Sequence, residues 1–167
     1  NMVALVDGQP RLLNLKQMLE AFLSHRREVI TRRTVFELRR ARERGHILEG
    51  LAVAIGNVDE MIDLIKASPT PPIAKDRLLA RTWRAGVARE MLLRASNDPL
   101  AYKPQGLDPS LGLQEGAEGV EGAEAGYRLS DTQAQEILQM RLQRLTGLEQ
   151  DKIVQEYREV IDQITDL

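Results

Sequence analysis

No proline interrupts the chain from Leu15 to Ser68, so a helix entering this stretch can keep its ladder of backbone hydrogen bonds to the far end. Asn14 stands just ahead of it, with a side-chain oxygen suited to capping the first turn. Inside the stretch, Leu15, Phe22, Val29 and Phe36 recur every seven residues. That is the narrow seam of a coiled coil, not the wide apolar stripe of a bundle helix. The intermediate seam positions are Arg26, Arg33 and Arg40; their apolar stems can cover a partner helix while the guanidinium groups reach flanking carboxylates. The seam therefore suits a two-helix stalk and would be poor in a solid core. From Ile47 the apolar positions widen to Leu48, Leu51, Ala54, Ile55 and Val58, and the helix passes from stalk into a packed body.

The C-terminal residues supply the stalk's second strand. Ile153, Tyr157, Val160, Ile164 and Leu167 step by alternating fours and threes, again a coiled-coil seam. The charges are complementary. Between Arg26 and Arg44 eight arginines face only Glu28, Glu37 and Glu43, whereas Glu149 to Leu167 carries six acids against Lys152 and Arg158. A net charge of −2 hides this division. Intramolecular pairing of the two helices, antiparallel over about 30 Å for some 20 residues, is favoured over binding of nucleic acid by the arginine face. The assumed register sets Ile153 beside Ile47.

Between the two strands lie further elements. Asn57-Val-Asp-Glu60 resembles a capping box that starts a helix ending near Ser68. Ser68-Pro-Thr-Pro-Pro72 breaks that helix and starts another with Thr70 as cap. Two shorter helices, Ile73 to Ala80 and Val87 to Ser96, flank Trp83 and Gly86. Residues 97–126, rich in glycine and carrying Glu115, Glu118, Glu121 and Glu124, read as a mobile acidic loop. Ser130-Asp-Thr-Gln133 is a second capping box, opening a helix through Ile137, Leu138, Leu142 and Leu145 that Thr146-Gly147 stops. At the other end, Met2 to Val6 and Arg11 to Leu13 flank Asp7-Gly-Gln-Pro10, whose Asp-Gly pair is a hairpin signature. An isolated hairpin is marginal, so it reads as the remnant of a preceding domain.

The fold class is all-α: a long antiparallel two-helix coiled-coil stalk with a small globular helical knob at one end, plus a short N-terminal β-hairpin. Its parts are the hairpin (1–13), the outgoing stalk helix (14–46), the knob (47–148) with its loop at about 97–126, and a truncated returning helix (149–167). Only 4% aromatic residues weaken a sandwich or barrel. The absence of cysteine excludes a disulfide scaffold or a thiolate site and suits a reducing cytoplasm. The longest clean apolar run, Leu51 to Ile55, is far short of the roughly 20 residues that cross a bilayer, so no membrane association is expected.

Catalytic signals are lacking. There is no G-x-x-x-x-G-K-[ST] or G-x-G-x-x-G loop to cradle a phosphate, and His25 and His46 lie too far apart on one helix to share a metal. Catalytic, cofactor and metal residues are therefore expected to number none. The carboxylates of the last helix read as ion-pair partners.

Two long motifs do resemble a known family. His25-Arg-Arg-Glu-Val-Ile-Thr-Arg-Arg-Thr-Val-Phe-Glu-Leu-Arg39, continued by His46 to Ala54 and Asn57-Val-Asp59, is similar to the A-type chains of bacterial DNA gyrase, a type IIA topoisomerase. So is Gln133-Ala-Gln-Glu-Ile-Leu-Gln-Met-Arg-Leu-Gln-Arg-Leu-Thr-Gly-Leu-Glu149. The resemblance covers essentially the whole chain except the acidic loop. It implies the coiled coil and terminal knob of the breakage-reunion domain, where two knobs meet as a DNA exit gate. It further implies a homodimer, a gyrase B partner in a heterotetramer, and duplex DNA as the parent's substrate. ATP and Mg2+ are then used by the parent through its gyrase B partner, for negative supercoiling by double-strand passage. The knob helix from Ile137 to Gly147 is the implied dimer contact, through Ile137, Met140, Arg141, Leu142, Leu145 and Thr146, although Ile137 and Leu138 suit the knob's own core equally well. The family's catalytic tyrosine follows an arginine, whereas Tyr102, Tyr127 and Tyr157 follow Ala101, Gly126 and Glu156, so this segment is implied to be non-catalytic. The A-type chain of topoisomerase IV is the near alternative, and Arg32 to Leu38 together with the insertion from Ser68 to Gly126 look gyrase-like. A free-standing helical adaptor that binds nucleic acid through its arginines is the alternative from another class.

Overall fold

A computed structural model of the chain describes residues 2–86, 89, 103–114, 126–140 and 147–167. The chain divides into two compact units, Asn1–Leu38 and Arg39–Leu167.

In the first unit, β1 (Met2–Val6) and β2 (Gln9–Leu13) form the expected antiparallel hairpin, Val6 opposite Gln9. Asp7 and Gly8 carry φ of 53° and 76°, the positive values that a two-residue hairpin turn of this hand requires. Asn14 then caps α1 (Leu15–Gly56). Its Oδ1 accepts from the amide of Gln17 at 2.9 Å, and its own amide donates to Gln17 Oε1 at 3.0 Å, a reciprocal box that satisfies two otherwise orphan donors. On this part of α1, Arg32 pairs with Glu28, and Arg33 with Glu37 at 2.7 Å. These are same-helix pairs between exposed side chains, of the kind that contributes little to stability. Its apolar residues, among them Leu19, Phe22 and Val29, stay exposed.

The second unit is built on the last turns of α1. Leu48, Leu51, Ala52, Val53 and Ala54 are buried there. The helix runs unbroken to Gly56, and α2 (Val58–Lys66) follows at once. The expected cap at Asn57 is not made: its side chain turns away and donates to the carbonyls of Val53 and Arg84, each at 2.9 Å. Those two acceptors outcompete the helix start. Next, α3 (Pro71–Ala80) begins with proline at its first turn, and Thr70 is extended without a side-chain cap bond. Helix α4 (Asp131–Gln139) keeps its capping box, Ser130 amide to Gln133 Oε1 at 2.9 Å and Gln133 amide to Ser130 Oγ at 3.4 Å. It ends earlier than the apolar spacing suggests, because Met140 turns extended with ψ 131°. Helix α5 (Gly147–Asp166) closes the chain.

Beside these helices lies a small sheet. Strands β3 (Trp83–Arg84), β4 (Gly112–Gln114) and β5 (Gly126–Arg128) pair antiparallel in the order β3-β5-β4. Within the stretch 97–126 read as a loop, Gly112–Gln114 is strand, paired to β5, and 103–111 is turn and irregular chain. The four loop glutamates and the helix expected over 87–96 fall outside the described residues, apart from Arg89. The sheet is short and its strands are far apart in sequence, which is why no alternating pattern announces it. Trp83 is buried, donates its indole N–H to the Leu78 carbonyl at 3.1 Å, and stacks under Arg81 at 4.8 Å.

Helix α5 packs antiparallel to the end of α1. A Cβ placed on Gly45 would lie 3.5 Å from Val160 Cγ1 and 3.9 Å from Tyr157, while Glu49, one turn further along α1, bonds Tyr157. Arg44 pairs with Glu156 at the same offset as Ile153 beside Ile47, while the Gly45 and Glu49 neighbours on α5 lie two to six residues from that offset. The Tyr157 hydroxyl reaches a carboxylate that lies inside the body.

Candidate functional site

The returning seam is buried except at Leu167, which is 38% exposed. Ile153, Tyr157, Val160 and Ile164 are all below 9% exposed, whereas Phe22, Val29 and Phe36 are 60%, 39% and 49% exposed. Of the expected contact residues, Ile137 is buried in the chain's own core, so it has almost no surface to give a partner. Met140 is half-buried at the end of α4. Arg141, Leu142, Leu145 and Thr146 lie outside the described residues. Among ion pairs from the arginine run, Arg44 reaches Glu156 on α5 at 2.6 Å.

Behind α4 lies a polar cluster that periodicity does not single out. Glu49 is buried, and its two oxygens accept from different tyrosines: Oε1 from Tyr157 and Oε2 from Tyr127, each at 2.8 Å. The Tyr127 hydroxyl in turn accepts from Gln133 Nε2 at 2.8 Å. The same amide donates to the His46 carbonyl at 2.6 Å and lies 3.4 Å from His46 Nδ1. On the far side of the ring, Nε2 is 2.6 Å from Ser130 Oγ. His46, Glu49, Tyr127, Ser130, Gln133 and Tyr157 are each less than 9% exposed. One connected set thus ties α1, β5, α4 and α5. It is internally consistent with a neutral His46 that donates from Nε2 and with Glu49 as double acceptor.

Electrostatics follow from burial. His46 is held down to about 4, first by desolvation and then by the positive charge of Lys103, so the ring is neutral at physiological pH. Burial pushes the Glu49 carboxyl up, against the pull of both tyrosine hydroxyls and of Lys103. Tyr127 is raised well above the ordinary phenol range by desolvation and by the neighbouring Glu49 charge. Gly50 closes the cluster, because a Cβ there would meet Gln133 side-chain carbons at 2.8 Å. The signal present in the sequence is two polar residues, His46 and Glu49, set three apart inside the widened apolar stripe of α1. The tyrosine partners of Glu49 come from residues 78 and 108 positions away, which no local pattern reports.

The hydroxyls of Tyr127 and Tyr157 both donate to Glu49; Tyr102 lies outside the described residues. Among the described residues no group of three His, Asp or Glu side chains could hold a metal ion, and no helix is long and apolar enough to cross a membrane.

A mostly helical chain with a 42-residue helix, an N-terminal hairpin and a small body matches, over residues 1–167, the model of the family described as the A subunits of DNA gyrase and topoisomerase IV. The chain belongs to that family. Within it, the similar proteins lie on the gyrase side. The DNA gyrase A subunit of Pseudomonas aeruginosa is 56% identical over 100% of the chain, that of Neisseria gonorrhoeae 51% over 99%, and that of Escherichia coli K12 51% over 94%. In each case the match spans 17% of the relative's length.

Proposed function

We propose that this chain is the arm-and-gate segment of a gyrase A protein and that two copies meet through the body that carries α4. The parent enzyme would pass one DNA duplex through another, with ATP and Mg2+ handled by its gyrase B partner, and introduce negative supercoils. The transported duplex leaves when the protein contact opens transiently. The observation that carries this reading is the match along the whole chain to gyrase A sequences of which it spans only 17%. The segment itself brings no phosphate-binding loop, and the hydroxyls of Tyr127 and Tyr157 are both engaged, which supports a mechanical role. Capped at Ser130 and anchored by Gln133, α4 is a firm base for a contact at Met140 and the adjoining residues 141–146. The contact must both reseal and open, which calls for a modest interface with an apolar centre.

Cysteine cross-linking in the full-length gyrase A protein tests the proposal, with Met140→Cys and Thr146→Cys as the probes. A covalent A–A dimer at either position is the expected result. Its absence at both removes α4 and its C-terminal extension from the contact.

A further inference from the structure

We propose that Glu49 and Tyr157 are positioning residues of this gate: the Glu49 carboxylate joins Tyr157 on the returning helix to Tyr127, and through Gln133 locks α4 to that helix. The inference rests on α4 carrying the dimer contact. Four elements converge on a single buried carboxylate. Tyr157 and Tyr127 donate to its two oxygens at 2.8 Å each. Gln133, three residues into α4, bonds both the Tyr127 hydroxyl and the His46 carbonyl. Gly50 leaves it no space to withdraw toward α1, since even a methyl there would overlap its side chain.

Apolar packing holds α5 against α1 through many contacts that are individually weak and non-directional. A hydrogen bond to a buried acceptor behaves differently. If α5 shifts and Tyr157 leaves Glu49, the carboxylate keeps only Tyr127, and water is excluded from the vacated position by a cluster whose members are each less than 9% exposed. A buried acceptor left short of donors is costly, so the arm and α4 move together or the cluster breaks as a unit. A pull on α5 is therefore passed to the helix that ends at Met140, over a path of four hydrogen-bonding side chains.

The test uses the full-length gyrase A protein carrying Met140→Cys and a bismaleimide of fixed length, with the rate of A–A cross-linking as readout. Tyr157→Phe keeps the ring and removes one donor; Glu49→Gln keeps the shape and replaces one acceptor oxygen with a donor. Each is expected to slow cross-linking about tenfold, the factor of one lost charge-assisted hydrogen bond. The double variant should be no slower than the worse single, since both cut the same link. Leu78→Val, in the core but outside the cluster, serves as a control: it lowers thermal stability to a similar degree and leaves the cross-linking rate unchanged. Native-rate cross-linking in Tyr157→Phe, or equal slowing in Leu78→Val, overturns the positioning role while leaving the gate intact. If neither Met140→Cys nor Thr146→Cys gives a cross-link in the otherwise native protein, the contact is not at α4 and the inference falls with it; if only Thr146→Cys does, the rates are read at that position.

Discussion

The two halves of α1 belong to one uninterrupted helix yet live in different surroundings. Between Leu15 and Leu38, Leu19, Phe22, Leu23 and Ile30 are more than half exposed, while Leu48, Leu51 and Val53 in the later turns are at 2% or below. Both halves are regular α-helix. What differs is the breadth of the apolar face: a single seam interrupted by arginine can be covered only by one partner helix, whereas the wide stripe after Ile47 accepts helices and strands from several directions. Helix propensity sets neither outcome, since most helix stability in proteins comes from packing one face.

The same substitution made in both halves should separate them most widely. Leu48→Ala is expected to cost about 4 kcal/mol, because it removes a fully buried side chain and leaves a cavity. Leu19→Ala, at 55% exposure, should cost about 0.5 kcal/mol or less in the 167-residue chain. Chemical denaturation of the two variants checks this; similar losses would mean that the exposed half is packed in solution.

Acid should act next most strongly, and through the buried half. His46 has its folded pKa depressed to about 4 from an ordinary 6.5. Between those values the unfolded chain binds a proton that the folded chain does not, so stability falls as pH drops from 6.5 toward 4, by up to about 3 kcal/mol. Glu49 acts in the opposite sense. Its raised folded pKa means the folded chain keeps that proton to higher pH, so stability falls as pH rises through its window. Melting temperature against pH should decline on the acid side in the native chain and be visibly flatter in His46→Asn.

The smallest pair of effects compares two glycines of the buried half. Gly50→Ala drives a methyl into Gln133 at 2.8 Å and is expected to lose about 2 kcal/mol by overpacking. Gly45→Ala makes only ordinary contact with Val160 at 3.5 Å and should gain about 0.5 kcal/mol from helix propensity. Thermal melts of both variants fix the sign. A loss at Gly45 as large as that at Gly50 would mean that α5 lies closer to α1 than the structure shows.

Much of the fold is legible because its signals are local. The turn at Asp7-Gly8, the caps at Asn14 and Ser130, the break at Ser68 to Pro72 and the seam of α5 each depend on residues within a few positions of one another. The expected cap at Asn57 fails for the converse reason: its side chain has better acceptors in Val53 and in Arg84, which lies 27 positions away. The sheet of β3, β4 and β5 leaves no trace in the pattern because strands of two and three residues carry no periodicity. Family likeness points to Ile137 and Met140 on α4 and to residues 141–146. It does not point to the polar cluster that ties α4 to α1, β5 and α5.

Spacing and composition are enough to set where most helices begin and break, which faces are apolar and how charge is divided between the first and last helices; the family is read from the likeness of two long motifs. Tertiary contacts were needed to show that Ile137 belongs to the core, that Tyr157 reaches into the body from α5, and that a glutamate in an apolar stretch is satisfied by two distant tyrosines. Those outcomes turn on hydrogen-bond partners brought together across 78 and 108 positions. Directional bonds to a buried carboxylate depend on three-dimensional position, which no local pattern of residue types encodes.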